Sequence, residues 1–275
     1  MTRLNDVSLP VLHRSVAAGP TRPAAVDRRG AVRVEGASKV YGDAGSAVPA
    51  LDHLDLDVAP GSFVCVLGAS GCGKSTLLNL VAGLDRPSAG RISVEGRTSL
   101  MFQDAALYPW LTAARAVELP LRLDGMGRDA RRARVRELLE LVHLGDFAGK
   151  RPHELSGGMR QRVALAPALG QRTDVLLMDE PFGALDAMTR DTLHDEVERI
   201  WQQSGISVLF VTHNVREAVR LGDRVVLLSS RPGRVIAEFP VAIERPRRID
   251  SPAVATLAAT ITDQLRAEVS RHGDH

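Results

Sequence analysis

The stretch Gly68-Ala69-Ser70-Gly71-Cys72-Gly73-Lys74-Ser75-Thr76 follows the apolar run FVCVL and precedes LLNLVAG. Strand, glycine-rich loop and helix in that order form the setting in which G-x-x-x-x-G-K-[ST] cradles a polyphosphate. That chemistry needs backbone N–H groups turned inward at a helix start, with glycine wherever a side chain would block the approach. Lys74 then offers a cation to the β and γ phosphates, and Ser75 a hydroxyl to Mg2+. Without those flanks the stretch would read as a plain strand-to-helix turn. A second set of groups fits the first: VLLMDEP places Asp179 and Glu180 at the end of an apolar strand. Adjacent carboxylates there are costly unless a cation lies close by. Beside a P-loop that cation is Mg2+, held by Ser75 and Asp179, which leaves Glu180 to orient or deprotonate a water aimed at the γ phosphate. Alone, the Asp-Glu pair would read as a strand end reaching solvent.

These residues need a scaffold, and the chain has the material for one. At 275 residues and 44% hydrophobic, it can bury one large core or a core with a subdomain. Short alternating or β-branched runs from Ala31 to Val66 predict a small β-rich layer leading into a buried strand. GRISVEG and TSLMFQ add a further short β element. Between Thr112 and Leu144 the period turns helical, with Val135, Leu138, Leu139 and Val142 at i, i+3, i+4 and i+7. The arginines there (Arg128, Arg131, Arg132, Arg134 and Arg136) read as a solvated face paired with nearby Glu rather than as a nucleic-acid patch. After Gly157, helices alternate with the strands DVLLMD, SVLFVT and DRVVLLS, the pattern of a mostly parallel sheet covered on both faces. No apolar run approaches the ~20 residues that cross a bilayer. A net charge of +2 gives no lean toward nucleic acid. Cys65 and Cys72 fall in one strand-and-loop stretch, which favours a reduced setting over a disulfide framework. Residues 1–30 mix Pro, Gly, Ala and Arg without period and are expected to form a flexible tail.

The stretch that narrows the field is LSGGM, Leu155 to Met159. Together with Gln103 in MFQD, Asp186 closing GALD, and His213 in VTHN, it makes the chain resemble the ATP-binding cassettes of ABC transporters over residues 31–235. The resemblance implies an α/β P-loop NTPase fold of ABC type, with a mostly parallel sheet, a small antiparallel β subdomain and a helical subdomain at about 104–160. Domain limits of 31–245 follow, with 246–275 as a C-terminal helical extension. It also implies ATP and Mg2+ as cofactors, and two cassettes facing head to tail. Each ATP would lie between one subunit's residues 68–76 and the other's Ser156, Gly157 and Gly158. Tyr41 would stack on adenine, Gln103 would reach Mg2+ and the attacking water, and His213 would contact the γ phosphate. Asp186 would shape the subunit contact. The residues' other readings are strand packing for Tyr41 and ordinary structural roles for Gln103 and His213.

Within that family, QDAALYPWLT and SSRPGRV resemble importers of nitrate, sulfonate, taurine and related oxyanions. The implied partners are a second cassette, integral membrane permease subunits and, indirectly, an extracytoplasmic solute-binding protein, with no nucleic acid, at the cytoplasmic face of the membrane. Tyr108, Pro109 and Trp110 beside Gln103 would receive a short helix of the permease, unless they are local core. The same motifs also occur in export or lipoprotein-release motors and in soluble cassettes that act on nucleic acid or ribosomes, which are the alternative functions. Two features stand apart. Cys72 sits where a helix N-terminus and Lys74 should favour thiolate, so it is expected either to be reactive or merely to fit the loop. Pro167 stands in RVALAPALG where such cassettes usually carry arginine, and an interior proline removes a helix hydrogen bond.

Overall fold

Three apolar pentapeptides, FVCVL, VLLMD and SVLFV, are buried at every position, as expected of strands covered on both faces. The computed structural model describes residues 29–43 and 45–272. Their elements are, in order, β1 (Val32–Tyr41), β2 (Val48–Val58), β3 (Phe63–Leu67), α1 (Lys74–Val81), β4 (Ala89–Val94), β5 (Thr98–Met101), α2 (Ala113–Leu123), α3 (Arg128–Leu141) and α4 (Gly157–Gly170). There follow β6 (Val175–Asp179), α5 (Ala187–Ser204), β7 (Ser207–Val211), α6 (Val215–Leu221), β8 (Arg224–Leu228), β9 (Val235–Pro240) and α7 (Pro252–His272). Strands β2, β1 and β4 form an antiparallel sheet in that order, and a second sheet runs β5-β6-β7-β3-β8-β9. All neighbours in the second sheet are parallel except β8 and β9.

Side-chain alternation divides β3 between two cores. Val64 and Val66 pack with α1 and the small antiparallel sheet. Phe63, Cys65 and Leu67 pack on the other side, in a cluster that takes in α2 to α7. The arginines of α3 pair with acids as expected where partners are close: Arg131 bonds Glu118 at 2.9 Å and Arg134 bonds Glu137 at 2.6 Å. The C-terminal segment is part of the body, because Val254, Ala258 and Ile261 of α7 join the larger core. Ahead of it, buried Arg247 donates to the carbonyls of Val219, Gly222 and Val241. Of the expected N-terminal tail only residues 29 and 30 are described. Gly30 is buried and donates to the Glu95 carbonyl at 2.6 Å, so the fold begins slightly before residue 31.

Helix α4 starts where Ser156 caps it, its hydroxyl accepting the Met159 N–H at 3.2 Å, and it runs unbroken through Pro167. Pro167 has no N–H to give the carbonyl of Val163, which is fully buried. The defect lies in the second half of the helix, far from Gly157 and Gly158. Pro167→Arg is therefore expected to raise the melting temperature by several degrees, the interior-proline cost being up to about 3 kcal/mol. Nucleotide affinity should stay level. A calorimetric scan with an unchanged or lowered melting temperature would show that the surrounding packing has accommodated the proline.

Candidate active site

The loop between β3 and α1 is shaped by what stands behind it. Gly73, the N-cap of α1, has φ 100°. A Cβ there would press on the Ala50 carbonyl at 2.6 Å, so conformation and space both require glycine. Lys74 is buried, and its Nζ donates to the carbonyls of Gly68 and Ala69 at 2.9 Å each. The ammonium is thereby folded along the loop that its backbone builds. Cys72 differs from the reactive-thiol expectation. It is buried, and burial pushes its thiol above the usual range, outweighing the opposing pull of Lys74 and of nearby backbone N–H groups. Cys72 fits the loop as a small apolar residue.

Two strands away, β6 ends in Asp179, and β7 runs between it and β3. Burial raises the Asp179 carboxyl; a hydrogen bond from the Ser75 hydroxyl opposes this, the charge of Glu180 adds to it, and Lys74 counters. Glu180 adopts a left-handed φ of 46°, unusual for a side chain of its size. Its N–H donates to the Val211 carbonyl at 2.9 Å, tying the turn to β7. One carboxylate oxygen, Oε2, accepts from Gln103 Nε2 at 3.2 Å and lies 3.0 Å from His213 Nδ1. The ends of β5, β6 and β7 thus converge on a single carboxylate.

These groups line one cleft of about 530 Å³. Ser70, Gly71, Gly73, Lys74, Ser75 and Thr76 of the loop line it together with Gln103, Glu180, His213 and, from the turn after β8, Arg231. The cleft can take a polyphosphate against the loop while holding a carboxylate and an imidazole at its far side. A buried carboxylate under desolvation stress, bonded to a hydroxyl, suits a hard divalent cation. Among the described residues no cluster of three His, Cys, Asp or Glu could hold a metal ion. A cation at Ser75 and Asp179 would complete its shell with phosphate or water oxygens, as Mg2+ commonly does.

Other predicted site residues stand outside this cleft. Tyr41 ends β1 with its ring partly exposed and the Lys39 ammonium 4.9 Å from its centroid. Ser156, Gly157 and Gly158 open α4, and Asp186 caps α5 by accepting the Thr189 N–H at 3.0 Å. The helix that bears the glycines is nevertheless wired to the cleft by a residue the sequence reading passed over. Buried Gln161 donates to the Glu180 carbonyl at 3.1 Å and accepts from the Ala184 N–H at 2.9 Å. Its place one turn past the cap was the available signal. Behind His213, Glu217 bonds both Thr212 and buried His194, anchoring the end of β7 to α5.

A family model described as ABC transporter matches residues 51–183. The aliphatic sulfonates import ATP-binding protein SsuB 1 of Mesorhizobium japonicum is 47% identical over 253 residues, covering 90% of this chain and 93% of that protein. The chain belongs to the ABC transporter ATP-binding family. Another member, the taurine import ATP-binding protein TauB of Rhizobium johnstonii, is 45% identical, covering 82% of this cassette and 89% of its own length. Among solved structures, the dimeric bacterial ABC transporter cassette MJ0796 superposes with a TM-score of 0.73 at 32% identity, over 78% of this chain and all of that one. The same cassette is also known as a dimer in a post-hydrolysis state bound to ADP and phosphate, with a TM-score of 0.72. The present cassette is accordingly an ATPase subunit of ABC type.

Proposed function

We propose that this cassette is the ATP-hydrolysing subunit of an importer for organic sulfonates of the taurine and alkanesulfonate class. The observation that carries the solute class is the identity of 45 to 47% with sulfonate and taurine import proteins over most of both chains. That narrows the oxyanion class expected from the sequence to its sulfonate members. The working form is a head-to-tail homodimer on permease subunits at the cytoplasmic face of the membrane, fed by an extracytoplasmic binding protein. No helix of the described residues is long and apolar enough to cross a membrane, so the permease supplies the passage.

In this reading the loop from Gly68 to Thr76 holds the phosphates and Lys74 exchanges its carbonyl partners for phosphate oxygens. Ser75 and Asp179 hold Mg2+, which supplies charge neutralisation to the phosphates. Glu180 accepts a proton from, or orients, the attacking water; Gln103 fixes that carboxylate from one side and His213 from the other. Tyr41 is assigned to the adenine. Ser156, Gly157 and Gly158 of one subunit serve the nucleotide of the other, Asp186 shapes the contact between them, and Gln161 links the two ends of that arrangement. Tyr108 and Trp110, with ring centroids 5.3 Å apart, are 50% and 68% exposed. That exposure disfavours local core and supports docking of a permease helix beside Gln103.

Deleting the gene from its host should abolish growth on taurine or an alkanesulfonate as sole sulfur source while growth on sulfate persists. Normal growth on both sulfonates would overturn the solute assignment.

A further inference from the structure

Arg231 lines the phosphate cleft together with the loop, Glu180 and His213, and reaches it from the turn that follows β8. Among the described residues its guanidinium makes no hydrogen bond and no ion pair. The turn that carries it is held on every side. Gly233 is seated against the P-loop itself: a Cβ there would run into the Cys72 carbonyl. Its N–H donates to the Ala50 carbonyl at 2.9 Å, and its carbonyl accepts the Asp52 N–H at 3.1 Å. Ser229 closes the turn by donating to the Pro232 carbonyl at 2.8 Å and accepting the Arg234 N–H at 2.9 Å. From the far end of the chain, buried Glu268 of α7 accepts the Ser230 N–H at 3.1 Å. A rigid turn braced on the loop thus presents one uncommitted cation to the cleft, where a planar guanidinium suits phosphate oxygens.

We propose that Arg231 is a further polyphosphate-contacting residue of the ATP site, delivered by a turn that α7 helps to hold. This rests on the reading of the cleft as the ATP site. An exposed arginine placed only for solvation would not require a turn so closely fitted to the loop.

The test is an equilibrium titration of the full-length chain with ATP, ADP and AMP in the presence of Mg2+, using wild type, Arg231→Ala, Arg231→Lys and Lys74→Ala. Arg231→Ala should weaken ATP about tenfold, as loss of one charge-assisted contact implies. ADP should lose less and AMP nothing, Arg231→Lys should recover part of the loss, and the nucleotide-free melting temperature should not move. Unchanged ATP affinity in Arg231→Ala, with affinity lost in Lys74→Ala, would overturn the role of Arg231 and leave the site intact. Unchanged affinity in both variants would instead overturn the phosphate cradle. An equal loss for ATP and AMP would also overturn the proposal, because the contact would then lie outside the polyphosphate.

Discussion

Glu180→Gln is expected to lower steady-state ATP turnover by about 10²- to 10⁴-fold, the range of a lost general base, while ATP still binds. The substitution keeps the shape and the Oε acceptor, so Gln103 and His213 retain a partner at 3.2 and 3.0 Å. Only the basic carboxylate is lost. Because binding precedes hydrolysis, the variant should accumulate as a nucleotide-bound dimer, visible by light scattering in the presence of Mg-ATP. Phosphate release measured beside an ATP titration separates the two steps. Turnover at the wild-type rate would mean that the water is activated elsewhere.

Lys74→Ala acts earlier. The ammonium holds two loop carbonyls at 2.9 Å, so its removal takes a cation from the phosphates and leaves Gly68 and Ala69 without their partner. Loss of a hydrogen bond to a charged group typically costs about 1.5–3 kcal/mol, which corresponds to roughly 10- to 100-fold weaker ATP binding. Calorimetric titration is the direct reading. Unchanged affinity would remove the loop from the phosphate site.

The phosphate loop and the paired carboxylates were legible because their chemistry fixes both residue type and position after an apolar run. The alternating helices and strands announced the parallel sheet for a similar local reason. Less visible were contacts that depend on distant segments. Gln161 reads as an ordinary polar residue on a helix until the turn after β6 is seen to fold onto it. Arg231 has no sequence neighbour in the cleft and arrives there only because β8 lies beside β3. Between the two readings of Cys72 the sequence could not choose, because its neighbours promise stabilised charge, whereas its enclosure in the core opposes it more strongly. Nor did any local pattern show that α7 would share the main core, since Val254, Ala258 and Ile261 gain their meaning from packing beside α6.

Strand β7 separates the strand that ends in the loop from the strand that ends in the carboxylates. Two strand intervals amount to roughly 10 Å, so the sheet sets a fixed backbone spacing between the loop and Glu180. Its middle leaf also carries His213, just past Val211. In the proposed reading, a ligand anchored at the loop would be measured by how far its phosphate chain extends across that interval. A triphosphate would bring its last phosphoryl group toward Glu180 and His213, whereas a diphosphate would stop short on the loop side. The cassette would then register the loss of one phosphoryl group as a gap opening over β7, with no need for the sheet itself to change shape.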